Sequence, residues 1–86
     1  MHAASTLIDE RFRALADPTR RKILGLVGQK EYPAGEIAGH FEMTRPAVSR
    51  HLRILREARL VTVKSAGTTR FYSADKKALS DLGQFF

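Results

Sequence analysis

The chain has 86 residues, enough for one small domain over residues 1–86, and 15 Lys or Arg against 9 Asp or Glu leave a net charge of +6 at pH 7. It contains no cysteine, which excludes disulfides, thiolate metal sites and thiol redox switches. No apolar run approaches the roughly 20 residues of a membrane span, and the N-terminus lacks the basic start and apolar stretch of a signal peptide, so we expect a cytoplasmic protein without membrane insertion.

The first regular pattern predicts a helix over residues 5–16. Ser5 or Thr6 can serve as its N-cap, since a short hydroxyl side chain accepts a hydrogen bond from the free N–H groups of a first turn. The acidic pair Asp9–Glu10 then falls in the first turn, where negative charge suits the helix dipole. An apolar stripe at helical spacing consists of Ile8, Phe12 and Leu15.

A second helix is predicted to follow directly, because Asp17 is a good N-cap and the proline after it is favoured in the first helical position. This helix should end near Gly28. Residues 29–33 are expected to form a connector with room for a short strand. A third helix is predicted over residues 34–41, where apolar side chains recur at helical spacing, and residues 42–43 then form a tight turn.

The second half predicts a helix, a β-hairpin and a final helix. Thr44 should cap a helix that runs to Leu60, and its inward stripe is Val48, Leu52 and Leu55. Residues 61–73 alternate like two strands joined by a loop of residues 66–69 that contains glycine. A last helix, capped by Ser73 or Asp75, completes a mainly α fold with a small β-hairpin, in the order α-α-α-α-β-β-α.

The excess positive charge lies entirely in the second half of the chain. Residues 1–43 carry six basic and six acidic residues, which cancel. Residues 44–59 carry five arginines against one glutamate, a net of +4, and residues 60–86 carry four basic residues against two acidic ones, a net of +2. A basic surface concentrated in this way is typical of proteins that bind a phosphate backbone.

Helix, short turn, helix and basic hairpin is the order of a winged helix-turn-helix, whose second helix enters the major groove with its first turns at the base edges. With the apolar stripe inward, a helical wheel turns the basic side chains outward. Arg50 is the first candidate for a base contact and Arg45 the second. The predicted DNA-contacting residues of this helix are Thr44, Arg45, Pro46, Ser49, Arg50 and Arg53. The alternative is an ordinary solvated arginine face.

Further basic residues are expected to contact the DNA backbone or to pair with acids. On the hairpin, Lys64, Thr68 and Arg70 are predicted to touch the backbone or the minor groove; the alternative is an ordinary exposed turn. Arg56 and Arg59 are expected to neutralise phosphate or to pair with acids such as Glu57.

Three residues outside this surface are also expected to make specific contacts. Arg20 and Arg21 fall in the first turn of the second helix, where cations oppose the helix dipole. They are expected to serve a phosphate contact or a fixed ion pair, for example with Asp17. His51 lies at the border of the core and is expected to be packed or hydrogen-bonded.

The segments FRALADPTRRKIL, EIAGHF, TRPAVSRHLRILREARLV and GTTRFYS together resemble the ArsR-type family of bacterial winged-helix repressors over about residues 10–75. The resemblance is greatest to the metal-independent, SdpR-like autorepressor branch. Metal sensors of the family place a cysteine pair in the third helix, where this chain reads EIAGHF, so neither a metal nor another cofactor is expected.

The resemblance implies a homodimer whose interface is formed by the terminal helices, residues 5–16 and 74–86. Both helices carry more apolar residues than a single small core is expected to bury. The predicted interface consists of Leu7, Ile8, Phe12, Leu79, Leu82 and Phe86. The alternative is that these side chains only close the core of the monomer.

The predicted function is a cytoplasmic, sequence-specific regulator that binds double-stranded DNA, associates with the nucleoid when bound, and represses transcription as a dimer by occupying a promoter, its own among them. One alternative is a winged-helix module that binds an acidic partner protein. Another is a repressor that responds to an unidentified small ligand. No pattern places a nucleophile beside a base, so we do not expect an enzyme.

Overall fold

The computed structural model describes residues 3–85, with their side chains from Thr6 onward. The helices are α1 (Ala3–Ala16), α2 (Pro18–Val27), α3 (Ala34–Ala38), α4 (Arg45–Glu57) and α5 (Lys76–Leu82), and a 3₁₀ turn follows at Gly83–Phe85. The strands are β1 (Tyr32–Pro33), β2 (Val61–Ala66) and β3 (Thr69–Ala74). Among the described helices, none is both long enough and apolar enough to span a membrane.

The three strands form one antiparallel sheet in the order β1-β3-β2. Tyr72 of β3 pairs with Tyr32 on one side and with Val63 on the other. The β2–β3 hairpin is tighter than the sequence predicted, because Ala66 and Thr69 still pair and the turn contains only two residues. Gly67 takes φ 62° at the first of them, the backbone that a type II′ turn requires and that glycine adopts without strain.

One core joins the helices to the sheet. The largest fully buried side chains are Ile23, Ile37, Val48, Leu55 and Leu60. Full burial of side chains of this kind contributes about 1.5–3 kcal/mol each. The predicted inward stripe of α4 is confirmed, since all three of its members are at most 3% exposed. The core therefore fixes which face of α4 is turned to solvent.

The first helix begins earlier than the sequence predicted. Because α1 starts at Ala3, Ser5 and Thr6 lie within it, and the prediction that one of them caps it was wrong. The first turn also holds no acidic residue, so Asp9 and Glu10 lie beyond it. The helix extends past the possible cap at Ser5 because the two residues before it are alanines, which have the highest helix propensity.

The other helix caps agree with the sequence. Asp17 caps α2 by accepting hydrogen bonds from the N–H groups of Thr19 and Arg20, at 2.8 and 3.1 Å. Of the two residues proposed for α5, Asp75 is the cap, accepting from the Ala78 N–H at 3.0 Å. The other candidate cap, Ser73, belongs to strand β3.

Helix α3 is shorter than predicted and ends at Ala38 instead of residue 41. Gly39 is its C-cap. The N–H groups of His40 and Phe41 bond to the carbonyls of Ile37 and Ala38, at 3.0 and 3.2 Å. These bonds span three residues and tighten the chain into the turn that leads to α4.

Helix α4 ends at Glu57, before the predicted Leu60, because the chain reverses at Arg59. Arg59 has φ 56°, in the left-handed region. The N–H of Leu60 bonds to the carbonyl of Leu55 at 3.0 Å, and the N–H of Arg59 bonds to that of Arg56 at 2.9 Å. These two bonds define a Schellman motif, a common helix ending that usually has glycine where Arg59 stands.

Candidate nucleic-acid interface

The start of α4 is a capped helix end that faces solvent. The Thr44 hydroxyl accepts a hydrogen bond from the Ala47 N–H at 3.3 Å, as the sequence predicted. Thr44, Arg45 and Pro46 are all exposed. Because an uncovered helix N-terminus carries partial positive charge and free N–H groups, it favours an anionic neighbour such as phosphate.

The outward face of α4 continues this surface along the helix. Ser49, Arg50 and Arg53 are exposed. All six residues predicted to form the DNA-contacting part of this helix therefore lie at the surface, and the buried stripe holds them in a fixed orientation.

A groove runs between α4 and the hairpin, with a volume of about 600 Å³. Four exposed arginines line it, together with the buried residues Leu52 and Tyr72. The lining residues are Ala34, Pro46, Ser49, Arg50, Leu52, Arg53, Arg56, Arg70 and Tyr72. We call it the arginine groove. Since none of these residues is acidic, the groove concentrates positive potential, and guanidinium groups match the geometry of phosphate oxygens.

Arg56 belongs to this groove, although the sequence favoured other arginines for DNA contact. Ion pairs between described side chains occur at Arg20–Asp17 and Lys77–Asp81, so the expected pairing of Arg56 with Glu57 is not found there. Helical spacing could have identified Arg56, because Ser49, Arg53 and Arg56 stand at i, i+4 and i+7 and share one face.

Not every predicted contact residue lines the arginine groove. Of the three hairpin residues only Arg70 does, whereas Lys64 and Thr68 are exposed elsewhere on the hairpin. Arg45 leans over α3, where its Nη1 lies 3.6 Å from the position that a Cβ on Gly35 would take. Tyr72 is buried, whereas its neighbour Phe71 on strand β3 is half-buried.

Arg20 and Arg21 contact the end of α1. Arg20 donates from Nε to the Ala14 carbonyl at 2.8 Å and from Nη2 to the Arg13 carbonyl at 3.1 Å, and Arg21 donates to the Leu15 carbonyl at 2.7 Å. Cations are favourable at a helix C-terminus. The unfavourable position of these arginines at the start of α2 is therefore offset by a favourable one at the end of α1.

Arg20 also contacts two side chains. Its Nη1 lies 3.9 Å from a carboxylate oxygen of Asp17 and 3.2 Å from Nδ1 of His51, so the predicted Asp17 pair and the predicted hydrogen bond of His51 are both present. Desolvation by burial raises the pKa of Asp17. The hydrogen bonds from the N–H groups of Arg20 and Thr19, together with the charge of Arg20, outweigh it and lower that pKa below its usual value.

The terminal helices retain apolar surface. Leu7, Ile8, Phe12 and Leu79 are half-buried. Phe12 meets Phe85 edge to face with ring centroids 5.8 Å apart, and Phe85 is still 56% exposed. Leu82 is 4% exposed and belongs to the monomer core, which leaves it little surface for a partner. Phe86, also predicted for the interface, lies outside the described residues.

Between residues 3 and 85, no three His, Asp or Glu side chains come together in a way that could hold a metal ion.

Two helices joined by a short turn, the second with an exposed basic face and a hairpin beside it, define a winged helix-turn-helix. The chain belongs to the ArsR family: the family model described as "Bacterial regulatory protein, arsR family" matches residues 17–63.

Relatives of known role agree with this assignment. The chain is 41% identical over 70 residues to the transcriptional repressor SdpR of Bacillus subtilis, covering 81% of this chain and 78% of SdpR. It is 43% identical over 74 residues to the HTH-type transcriptional regulator Rv2034 of Mycobacterium tuberculosis, covering 86% of this chain and 69% of that regulator.

Solved structures show the same fold. A crystal structure of an ArsR family transcriptional regulator superposes with a TM-score of 0.87 at 26% identity, over 99% of this chain and 88% of the other. The homodimeric winged helix-turn-helix DNA-binding domain of Mb0332 from Mycobacterium bovis, solved by NMR in solution, superposes with a TM-score of 0.78 at 28% identity, over 96% and 74%.

Proposed function

We propose that this protein is a dimeric, sequence-specific repressor that binds double-stranded DNA and blocks transcription by occupying a promoter, its own among them. The observation that carries the proposal is the arginine groove, with four arginines and no acid beside the capped, exposed start of α4. Repressors and regulators among the relatives support the same role.

The roles of the individual residues follow from their place around the groove. Arg50, near the start of α4, reaches base edges in the major groove, with Pro46 and Ser49 beside it. Arg53, Arg56 and Arg70 line the same groove and neutralise phosphates.

The remaining predicted residues lie at the margins of this surface. Thr44 and Arg45 approach a phosphate at the helix start. Lys64 and Thr68, on the hairpin, contact backbone beyond the groove.

The dimer interface is formed by α1 and the C-terminal segment. The half-buried side chains of Leu7, Ile8, Phe12 and Leu79, with the exposed ring of Phe85, supply its apolar surface. Leu82 holds α5 in place from within the core. The homodimeric neighbour from Mycobacterium bovis supports this assembly. A two-fold dimer would bring two α4 helices to successive major grooves, roughly 34–36 Å apart.

We also propose that the protein acts in the cytoplasm, at the nucleoid when it is bound to DNA, without a cofactor and without catalysis. The family membership and the regulators among its relatives support this.

The test is a binding titration with purified protein. A duplex selected from a random pool is compared with a scrambled duplex, by fluorescence anisotropy at low and at moderate salt. We expect steep loss of affinity with salt, with a slope of about −0.9 per neutralised phosphate. Absence of salt-dependent duplex binding would instead favour a module that binds an acidic protein.

Two variants separate base reading from phosphate contact. Arg50→Ala should cost about 1–3 kcal/mol on the selected duplex and relax the sequence preference. Lys64→Ala should weaken selected and scrambled duplexes alike. If Arg50→Ala left both affinity and preference intact, the assignment of the base-reading residue would be wrong.

A further inference from the structure

Arg20 links the end of α1 to α4, the helix that carries the DNA-contacting face. Its side chain is 14% exposed. Nε and Nη2 donate to the last carbonyls of α1, and Nη1 lies 3.2 Å from Nδ1 of His51, which is 31 positions away in sequence. One guanidinium therefore spans the junction between the proposed dimer helix and the DNA-contacting helix.

The chemistry of this contact fixes the protonation state of His51. A guanidinium has only donors, so Nδ1 of His51 must be the acceptor. An imidazole that accepts at Nδ1 is neutral and carries its proton on Nε2. The contact as it stands therefore requires a neutral ring.

His51 occupies a position from which it affects DNA binding. It directly follows Arg50 in α4, and both residues line a small cleft with Asp17 and Arg20. A change in the Arg20–His51 contact therefore acts on the first turns of the helix that reads DNA.

We propose that Arg20 and His51 form a proton-sensitive contact that positions α4 for specific DNA binding, an inference that rests on the proposed function. Arg20 and His51 are positioning residues in this account. Protonation of the ring turns Nδ1 into a donor and opens the contact, so operator affinity should fall when the pH is lowered from about pH 8 to about pH 5.5.

Charged groups surround His51 at this junction. Arg20 faces the ring from α2, and Arg50 lines the cleft from α4. Asp17, the cap of α2, is the one acid lining that cleft, and its lowered pKa keeps it ionised throughout this range. From α1 the junction receives backbone carbonyls, because the Arg13 side chain lines a different cleft with Glu10 and Glu57.

The experiment measures operator and scrambled-duplex affinity at about pH 8 and about pH 5.5 for the wild type and four variants. His51→Asn places Oδ1 where Nδ1 was, an acceptor that does not titrate, so it should keep wild-type operator affinity at high pH and lose the pH dependence. His51→Leu has no acceptor and should bind the operator about tenfold more weakly at high pH.

Arg21→Gln is the matched control. Arg21 caps the same end of α1, at 2.7 Å from the Leu15 carbonyl, and this hydrogen bond does not involve α4. We expect Arg21→Gln to lower the melting temperature while leaving the operator preference and the pH profile unchanged. Arg20→Gln should reduce operator preference and flatten the pH profile.

Two results would overturn the proposal. One is that wild type and His51→Leu share the same affinity and pH profile. The other is that His51→Leu weakens operator and scrambled duplex equally, together with the melting temperature, as a purely structural role would. Failure of the wild type to bind any duplex at high pH would count against the proposed function instead. In that case NMR of the histidine ring nitrogens decides the contact: a proton on Nε2 of His51 at high pH supports it, and a proton on Nδ1 refutes it.

Discussion

Replacing Arg59 with glycine should stabilise this protein. Arg59 has φ 56° at the residue after the cap of α4, and the Schellman hydrogen bonds around it hold that conformation in place. A left-handed backbone costs a residue with a side chain roughly 1–2 kcal/mol. Glycine avoids this cost but loses about 0.5–1 kcal/mol more chain entropy on folding. The net gain should be about 0.5–1 kcal/mol.

The gain corresponds to a rise of roughly 2–8 °C in the melting temperature for a domain of this size. It is measured by thermal and urea unfolding followed by circular dichroism. All samples need the same protein concentration, because dimerisation couples stability to concentration.

Arg59→Ala is the control, since it removes the same charge and keeps a side chain at the strained position. We expect it to stay within about 0.5 kcal/mol of the wild type. Equal stability of the two variants, or a loss with glycine, would refute the reasoning and assign a stabilising contact to the Arg59 side chain. Operator preference should not change in either variant, because Arg59 is not among the residues that line the arginine groove.

Four further outcomes are expected. Gly67→Ala should destabilise the hairpin by about 1–2 kcal/mol, since φ there is 62°; unchanged unfolding would argue against the turn type. The pKa of the Asp17 carboxylate is lowered on folding, so its contribution to stability is full above the unfolded pKa and is lost as the pH falls through the folded pKa. Asp17→Asn should therefore be less stable than the wild type near neutral pH, and this difference in stability should shrink below about pH 4. A difference in stability that stays constant in acid titrations would contradict this. Phe12→Glu should shift sedimentation from dimer to monomer, and an unchanged dimer would move the interface elsewhere. Arg56→Ala should reduce the slope of log affinity against log salt by about 0.9. An unchanged slope would show that Arg56 does not contact a phosphate.

Helix α4 was predictable because its signals are local and agree with one another. The cap at Thr44, the proline in the first turn and the three-membered apolar stripe all lie within one segment, and the structure confirms each of them. The hairpin was predictable for the same reason, since alternating apolar and polar residues and a glycine in the turn identify two strands.

The ends of helices were less predictable. Arginine carries no signal for a left-handed backbone, so the reversal at Arg59 could not be read from its residue type. The true start of α1 depends on alanine propensity, which competes with a good cap two residues later.

Arg20 shows a further limit of sequence reasoning. Its position at the start of α2 looked unfavourable, because the carbonyls of α1 that accept its hydrogen bonds, and His51 of α4, come close only in the folded chain. The arginine groove could likewise be predicted only in part from the sequence. Its α4 side follows from helical spacing, but Arg70 and Tyr72 join it only through the packing of the sheet against α4.

The central claim is that the start of α4 reads DNA as part of a two-fold dimer, and selection of bound duplexes from a random pool tests it most directly. We expect enrichment of an inverted repeat with half-sites centred about 10–10.5 base pairs apart. The same selection with Arg50→Ala should lose the preference at the bases that this helix contacts. Absence of any enriched sequence, or an enriched motif that Arg50→Ala leaves unchanged, would contradict the claim.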